Sequence, residues 1–76
     1  MLLIPAASHG HTYICKLLID AGANLDEVDV IGETALLSSI KNYKTLSATY
    51  LLNEGANPHV MNNLGEVALM CALKFR

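Results

Sequence analysis

An all-α solenoid of stacked helix-turn-helix units is the fold class this sequence predicts, and three observations predict it. Gly22, Ala23 and Asn24 return thirty-three residues later as Gly55, Ala56 and Asn57, and Gly32 with Glu33 returns as Gly65 with Glu66. A period in the range of about 20–50 residues marks one supersecondary unit that buries its apolar face on its neighbours. Between the recurring glycines the apolar residues fall at helical spacing, as Leu36, Leu37 and Ile40 do, rather than alternating as a strand would. The glycines themselves stand where a helix would stop, because a residue without a Cβ enters the left-handed region at little cost.

The first unit, residues 1–28, is partial. Pro5 suits a first helical turn and breaks an interior, so the first helix is expected to begin near Pro5 with residues 1–4 extended. Gly10 makes a sharp link to a second helix, whose buried stripe is expected to be Ile14, Leu17, Leu18 and Ala21, with Gly22 as its stop. The middle unit, residues 29–61, is complete. Asp29, Val30, Ile31 and Gly32 read as a turn, with Gly32 taking a positive φ, and Thr34 caps the helix carrying Ala35, Leu36, Leu37 and Ile40, which ends near Asn42. A second helix is expected from Thr45 to Glu54, burying Leu46, Tyr50 and Leu51, with Gly55 as its C-terminal stop. The last unit, residues 62–76, shows a first helix only, over residues 67–75, with Ala68, Leu69 and Leu73 repeating Ala35, Leu36 and Ile40.

Composition narrows the function classes. With 76 residues and 53% hydrophobic content, the balance of burial and chain entropy is close to zero, and the apolar excess reads as stacking surface. No run approaches the roughly 20 apolar residues of a membrane-spanning helix, and the apolar residues before Pro5 are too few, with no basic lead-in, for a secretory leader. A net charge of −2 without a Lys/Arg cluster gives no footprint for nucleic acid or an anionic membrane, so neither is expected as a partner. Cys15 and Cys71 each fall inside an apolar helical stretch and read as small core hydrophobes with free thiols. That fits a reducing compartment, cytoplasmic or nuclear.

No catalytic constellation emerges, and the chain is not expected to be an enzyme. His9 and His11 flank Gly10, but no nearby carboxylate or thiol completes a metal-ligand spacing; His11 reads as a helix-start residue and His9 as a surface one. No strained nucleophile turn accompanies the Ser, His and Asp residues. The glycines are spaced as stops and turns, not as a phosphate cradle, and no metal or cofactor is expected.

The stretch Ala6, Ala7, Ser8, His9, Gly10, His11, then Ile14, Leu17, Leu18, then Gly22, Ala23, Asn24 resembles the helix-turn-helix portion of an ankyrin repeat. The family opening, Asp, two variable residues, Gly, a variable residue and Thr-Pro-Leu-His, is matched by Asp29, Val30, Ile31, Gly32, Glu33, Thr34, Ala35, Leu36, Leu37 and again by residues 62–70. The resemblance spans essentially the whole chain and implies an ankyrin-type helix-turn-helix solenoid with β-hairpin-like finger loops. Ala35 and Ala68 stand in place of Pro, Leu37 and Met70 in place of His, and Val67 in place of the capping Thr. Tyr43 replaces the link glycine, leaving Asn42 as the residue able to accept a left-handed conformation.

The resemblance further implies a concave side, built from fingers and first helices, on which another protein docks. Position by position it selects Val28, Val30, Ile31 and Glu33 on one finger, and Lys41 and Asn42 at the far end of that unit's first helix. Met61, Asn63, Leu64 and Glu66 are selected on the next finger, with Lys74 and Phe75 beyond it and Ser8 and His9 in the first unit. For Ile31 and Leu64, finger-to-finger packing and partner contact are both open. Val30, Ile31, Met61 and Leu64 are placed to form an apolar patch rimmed by Asp26, Glu27, Asp29 and Glu33. Asp26 and His59 occupy the position of an Asn that some family members carry hydroxylated. The rival to an interaction module is a structural spacer in a larger polypeptide. Leu2, Leu3 and Ile4 at one end, and Leu69, Leu73 and Phe75 at the other, are expected to lack a stacking neighbour, which points to a longer array or to self-association.

Overall fold

A computed structural model describes residues 2–74, and these form α1 (Leu3–Ser8), α2 (Thr12–Asp20), α3 (Ala35–Lys41), α4 (Thr45–Asn53) and α5 (Ala68–Lys74). The helices make two layers. In the inner layer α3 lies between α1 and α5; in the outer layer α2 covers α1, α4 covers α3, and the two outer helices touch. No strand occurs among the described residues: the fingers between α2 and α3 and between α4 and α5 are hydrogen-bonded turns.

Chain chemistry sets each boundary. Thr34 has extended backbone and its hydroxyl accepts from the Leu37 N–H at 3.2 Å, so α3 starts at Ala35 as its sequence predicts. Helix α1 begins earlier than expected: Leu2 is already helical and Leu3 opens the helix, so residues 2–4 are not extended. Pro5 is tolerated because it stands third in the helix. Its missing N–H is one of the first-turn donors that find no intrahelical partner in any case, and the ladder begins with Ala6 N–H to the Leu2 carbonyl. The early start buries Leu3, at 1% exposure, and Ile4, so both have the packing neighbours that the sequence reading denied them. Each contributes about 1.5–3 kcal/mol.

The inter-helix links share one geometry. Gly10 has φ +76 and Tyr43 has φ +61, and in each link the following N–H groups fold back onto the preceding helix. The left-handed residue of the second link is therefore Tyr43 and not Asn42. Asn42 stays at φ −100 and uses its side-chain amide to cap the Ser38 carbonyl at 2.8 Å, which commits it to the helix end. Tyr43 accepts a strain of about 1–2 kcal/mol that Gly10 avoids.

Both outer helices present a different face from the one their largest residues suggest. In α4 the buried residues are Ser47, Ala48 and Leu51, while Leu46 is 79% exposed and Tyr50 half-buried. In α2 Cys15 is fully buried with Leu18 and Ile19 packed beside it, whereas Ile14, Leu17 and Ala21 are exposed. Small side chains on the inward face let the helices approach closely, and the Thr12 and Ser47 hydroxyls hydrogen-bond across α2 and α4 at 2.7 Å. Cys15 and Cys71 are buried and form no disulfide with one another, and burial pushes the Cys15 thiol above its ordinary range.

Three substitutions test this packing. In urea unfolding, Tyr43→Gly should raise stability by about 0.5–1 kcal/mol, the relieved strain exceeding the added chain entropy; an unchanged or lower midpoint contradicts the strained link. Leu46→Glu should stay within about 0.5 kcal/mol of the parent while Leu51→Ala loses about 2–5 kcal/mol.

Candidate functional site

The two fingers are built alike, from an Asx residue that locks the turn. Asp29 Oδ1 accepts from the N–H groups of Ile31 at 3.0 Å and Glu33 at 2.9 Å; thirty-three residues on, Asn62 Oδ1 accepts from Leu64 and Glu66, both at 2.9 Å. Each loop is closed by a backbone pair, Asp29 with Glu33 and Asn62 with Glu66. Gly32 is required between them: at φ +78 it lies so close to the next finger that a Cβ would stand 2.8 Å from Asn63 Oδ1. Neighbouring fingers are joined directly. The Asn63 N–H donates to the Ile31 carbonyl at 2.8 Å and the Asn63 side-chain amide to the Val30 carbonyl at 3.3 Å.

Nearer the helices, Asn24 and Asn57 lock the preceding bends by accepting from the Asp26 and His59 N–H groups, each at 2.9 Å. Asp26 in turn accepts from the Asn57 N–H at 2.8 Å, which ties one unit to the next. Asp26 and Asp29 thus carry turn-holding hydrogen bonds as well as charge.

Under the fingers lies a charge clamp. Lys41 Nζ sits 2.8 Å from Glu33 Oε2 and 2.9 Å from Glu66 Oε1, and the Asn62 amide reaches the same two oxygens at 3.0 and 2.8 Å. One ammonium and one amide therefore bridge carboxylates from two successive units. Hydrogen bonding to Glu33, then to Glu66, raises the Lys41 pKa above its ordinary lysine value. Glu33 is buried and Lys41 and Glu66 half-buried, so these contacts are less screened by solvent than a surface pair.

The residues singled out from the sequence divide into two sets. Val28, Val30, Ile31, Met61, Asn63 and Leu64 are exposed on the fingers, Val30 at 95% and Leu64 at 75%. Glu33, Lys41 and Glu66 meet in the clamp instead. Asn42 is exposed at the end of α3, Lys74 ends α5, and Phe75 lies outside the described residues. Ser8 and His9 share the Pro5 carbonyl as acceptor, and the His9 ring stacks on His11 with centroids 6.0 Å apart. The turn-locking role of Asp29 and Asn62 was not read from sequence, although an Asx residue four positions before Glu33 and again before Glu66 is a visible signal.

Comparison with known proteins gives this geometry a lineage. Residues 3–76 match the family model described as ankyrin repeats (3 copies). An ankyrin repeat protein of Coxiella burnetii (strain RSA 493 / Nine Mile phase I) is 42% identical over 51 residues, covering 67% of this chain and 15% of that protein. The crystal structure of the human ASB11 ankyrin repeat domain superposes with a TM-score of 0.86 at 26% identity, over 95% of this chain and 33% of that one. The chain thus spans a small part of the length of these relatives. The locked turns, the left-handed links and the thirty-three-residue period have one origin: the chain belongs to the ankyrin-repeat family.

Proposed function

We propose that the chain is a non-catalytic protein–protein interaction module that engages its partner through the finger loops and the inner helices. Ankyrin repeats are in general protein-interaction modules, and the observation that carries the reading here is the finger row itself. Val30, Ile31, Met61 and Leu64 expose apolar side chains from backbones fixed by the Asx locks and the finger-to-finger bond. Side chains held on a fixed backbone lose little conformational freedom on binding, which is where a recognition surface gains affinity. The clamp of Lys41, Glu33, Glu66 and Asn62 supports the same reading, since it sets the spacing of the two fingers from beneath. Buried cysteines that form no disulfide favour an intracellular setting, cytoplasmic or nuclear. Residues 1–28, 29–61 and 62–76 act as three consecutive units of the module.

A second reading, a spacer within a larger array, draws on the exposed Leu69 and Met70 of α5, whose counterparts Leu36 and Leu37 on α3 are buried. The two readings part on one measurement. In affinity capture from cell extract, Val30→Asp with Leu64→Asp should abolish recovery of a specific partner while far-UV circular dichroism stays unchanged; recovery of the same partner by the double variant removes the finger reading, and no specific partner with the parent chain favours the spacer.

The clamp gives a further test. Lys41→Gln leaves Glu33 and Glu66 facing each other and should cost about 1–3 kcal/mol in urea unfolding. Because the folded-state lysine pKa is raised, its stabilising effect is fully present below the unfolded value of about 10.4 and is lost as pH rises through the folded value. The stability difference between parent and variant should therefore be constant from about pH 7 to 9 and shrink above about pH 10.4; a difference that persists at higher pH contradicts the assignment.

A further inference from the structure

The outer helices carry an apolar stripe that a neighbouring unit does not cover. Tyr13 of α2 is 69% exposed with α4 packed after its helix. Leu46 of α4, thirty-three residues on at the same place in the repeat, is 79% exposed with α2 packed before its helix. That position thus stays open with a unit on either side of it, and its exposure owes nothing to the ends of the stack. One turn further along, Leu17 is exposed and Tyr50 half-buried, within electrostatic reach of Lys16, Asp20 and Glu54. Each tyrosine offers a large ring with few torsions to fix and a hydroxyl that bonds at its edge, which suits a contact surface.

Charge on this face runs against the helices that carry it. A helix favours acidic groups at its N-terminus and basic ones at its C-terminus, yet neither α2 nor α4 has an acidic residue in its first turn or a basic one in its last. Lys44 is instead the N-cap of α4 and Glu54 its C-cap, while Asp20 ends α2, and all three are exposed. The exposed Lys16–Asp20 pair, 2.8 Å apart, has its cation N-terminal to its acid, the weaker order for such a pair. At the links, residues 8–13 and 42–46 contain Lys44 and no carboxylate; at the far ends, residues 20–27 and 53–57 contain Asp20, Asp26, Glu27 and Glu54 and no Lys or Arg. Because the units repeat, α2 and α4 run in the same direction, so the face has one basic end and one acidic end. A copy of this face laid parallel to it is repelled, and one laid antiparallel is attracted. A two-fold axis in the contact plane, crossing the helices, sets each basic end over an acidic one and each helix dipole against its opposite. The charge pattern is complementary to its own inverse, which selects a second copy of the chain as the occupant.

We propose that the outer face of α2 and α4 is a homodimer interface on which a second copy docks antiparallel. Helix α2 meets α2 and α4 meets α4, with Tyr13 of each copy facing Asp20 of the other and Lys44 facing Glu54. The tyrosine and leucine stripe fills the centre, and the finger rows of both copies remain free.

Sedimentation velocity of the 76-residue chain tests this. At about 0.1 mM the parent should sediment as a dimer, and Leu46→Glu and Tyr13→Glu should each raise the dissociation constant by about tenfold or more. Both side chains are exposed, so circular dichroism should be unchanged. Lys44→Glu and Glu54→Lys should each weaken the dimer by about threefold or more at low ionic strength. An equimolar mixture of those two single variants should recover it, because both contacts between positions 44 and 54 are again of opposite charge in the mixed dimer. A fold defect in either variant predicts no such recovery. A parent that stays monomeric to about 1 mM, a dimer indifferent to Leu46→Glu, or a mixture no tighter than its components overturns the proposal. A dimer that Met70→Glu dissociates also overturns it, assigning the association to the exposed side of α5.

Discussion

A helix of seven residues does not hold its shape in water on its own hydrogen bonds, because nucleating it fixes more backbone than so few bonds repay. Helix α3 is such a helix, and its residues Ala35, Leu36, Leu37, Ser38 and Ser39 are buried in an unbroken run. It exists because α1, α4 and α5 enclose it, and those elements are placed by enclosing it. The other inner helices are equally short, so secondary and tertiary structure form here as one event. The fingers inherit their direction from this stack: each rises from the end of an outer helix and returns into the start of an inner one.

Polar groups enter that stack only where they are satisfied. Among the described residues no buried side-chain nitrogen or oxygen lacks a hydrogen-bond partner. Ser39 turns its hydroxyl onto the Leu36 carbonyl at 2.8 Å, and Asn62 uses both ends of its amide, one on the turn and one on the clamp. The Pro and His missing from the two helix openings are thus matched by a different economy. Thr34 caps α3 alone, and the linking of successive units passes to Lys41 with its two carboxylates. A buried polar group costs most when half satisfied, and here the networks are closed.

The repeat, the capped start of α3 and the glycine stops were legible in the sequence because each rests on a local rule: a period, a hydroxyl at a helix start, a residue without a Cβ. What local rules do not carry is the phase of a helix against its neighbours. Leu46 and Ile14 were assigned inward on apolarity, yet Ser47, Ala48 and Cys15 hold the inward positions, since tight helix contact selects for size as well as for hydrophobicity. Pro5 misled because its tolerance depends on counting from the true helix start, which burial of Leu3 and Ile4 decided. At the candidate site the exposed finger residues were readable, but the clamp was not: Lys41 and Glu66 are twenty-five positions apart in sequence and only the fold makes them neighbours. Glu33 was read as a finger residue for the same reason.

The single backbone bond from Asn63 to Ile31 gives the finger row a mechanical character. Two loops that each float free would deflect one at a time under load. Joined main chain to main chain at their tips and by Lys41 at their roots, they bend as leaves of one spring. Displacement at either tip is thereby passed to the other through a main-chain hydrogen bond and to the inner helices through covalent backbone.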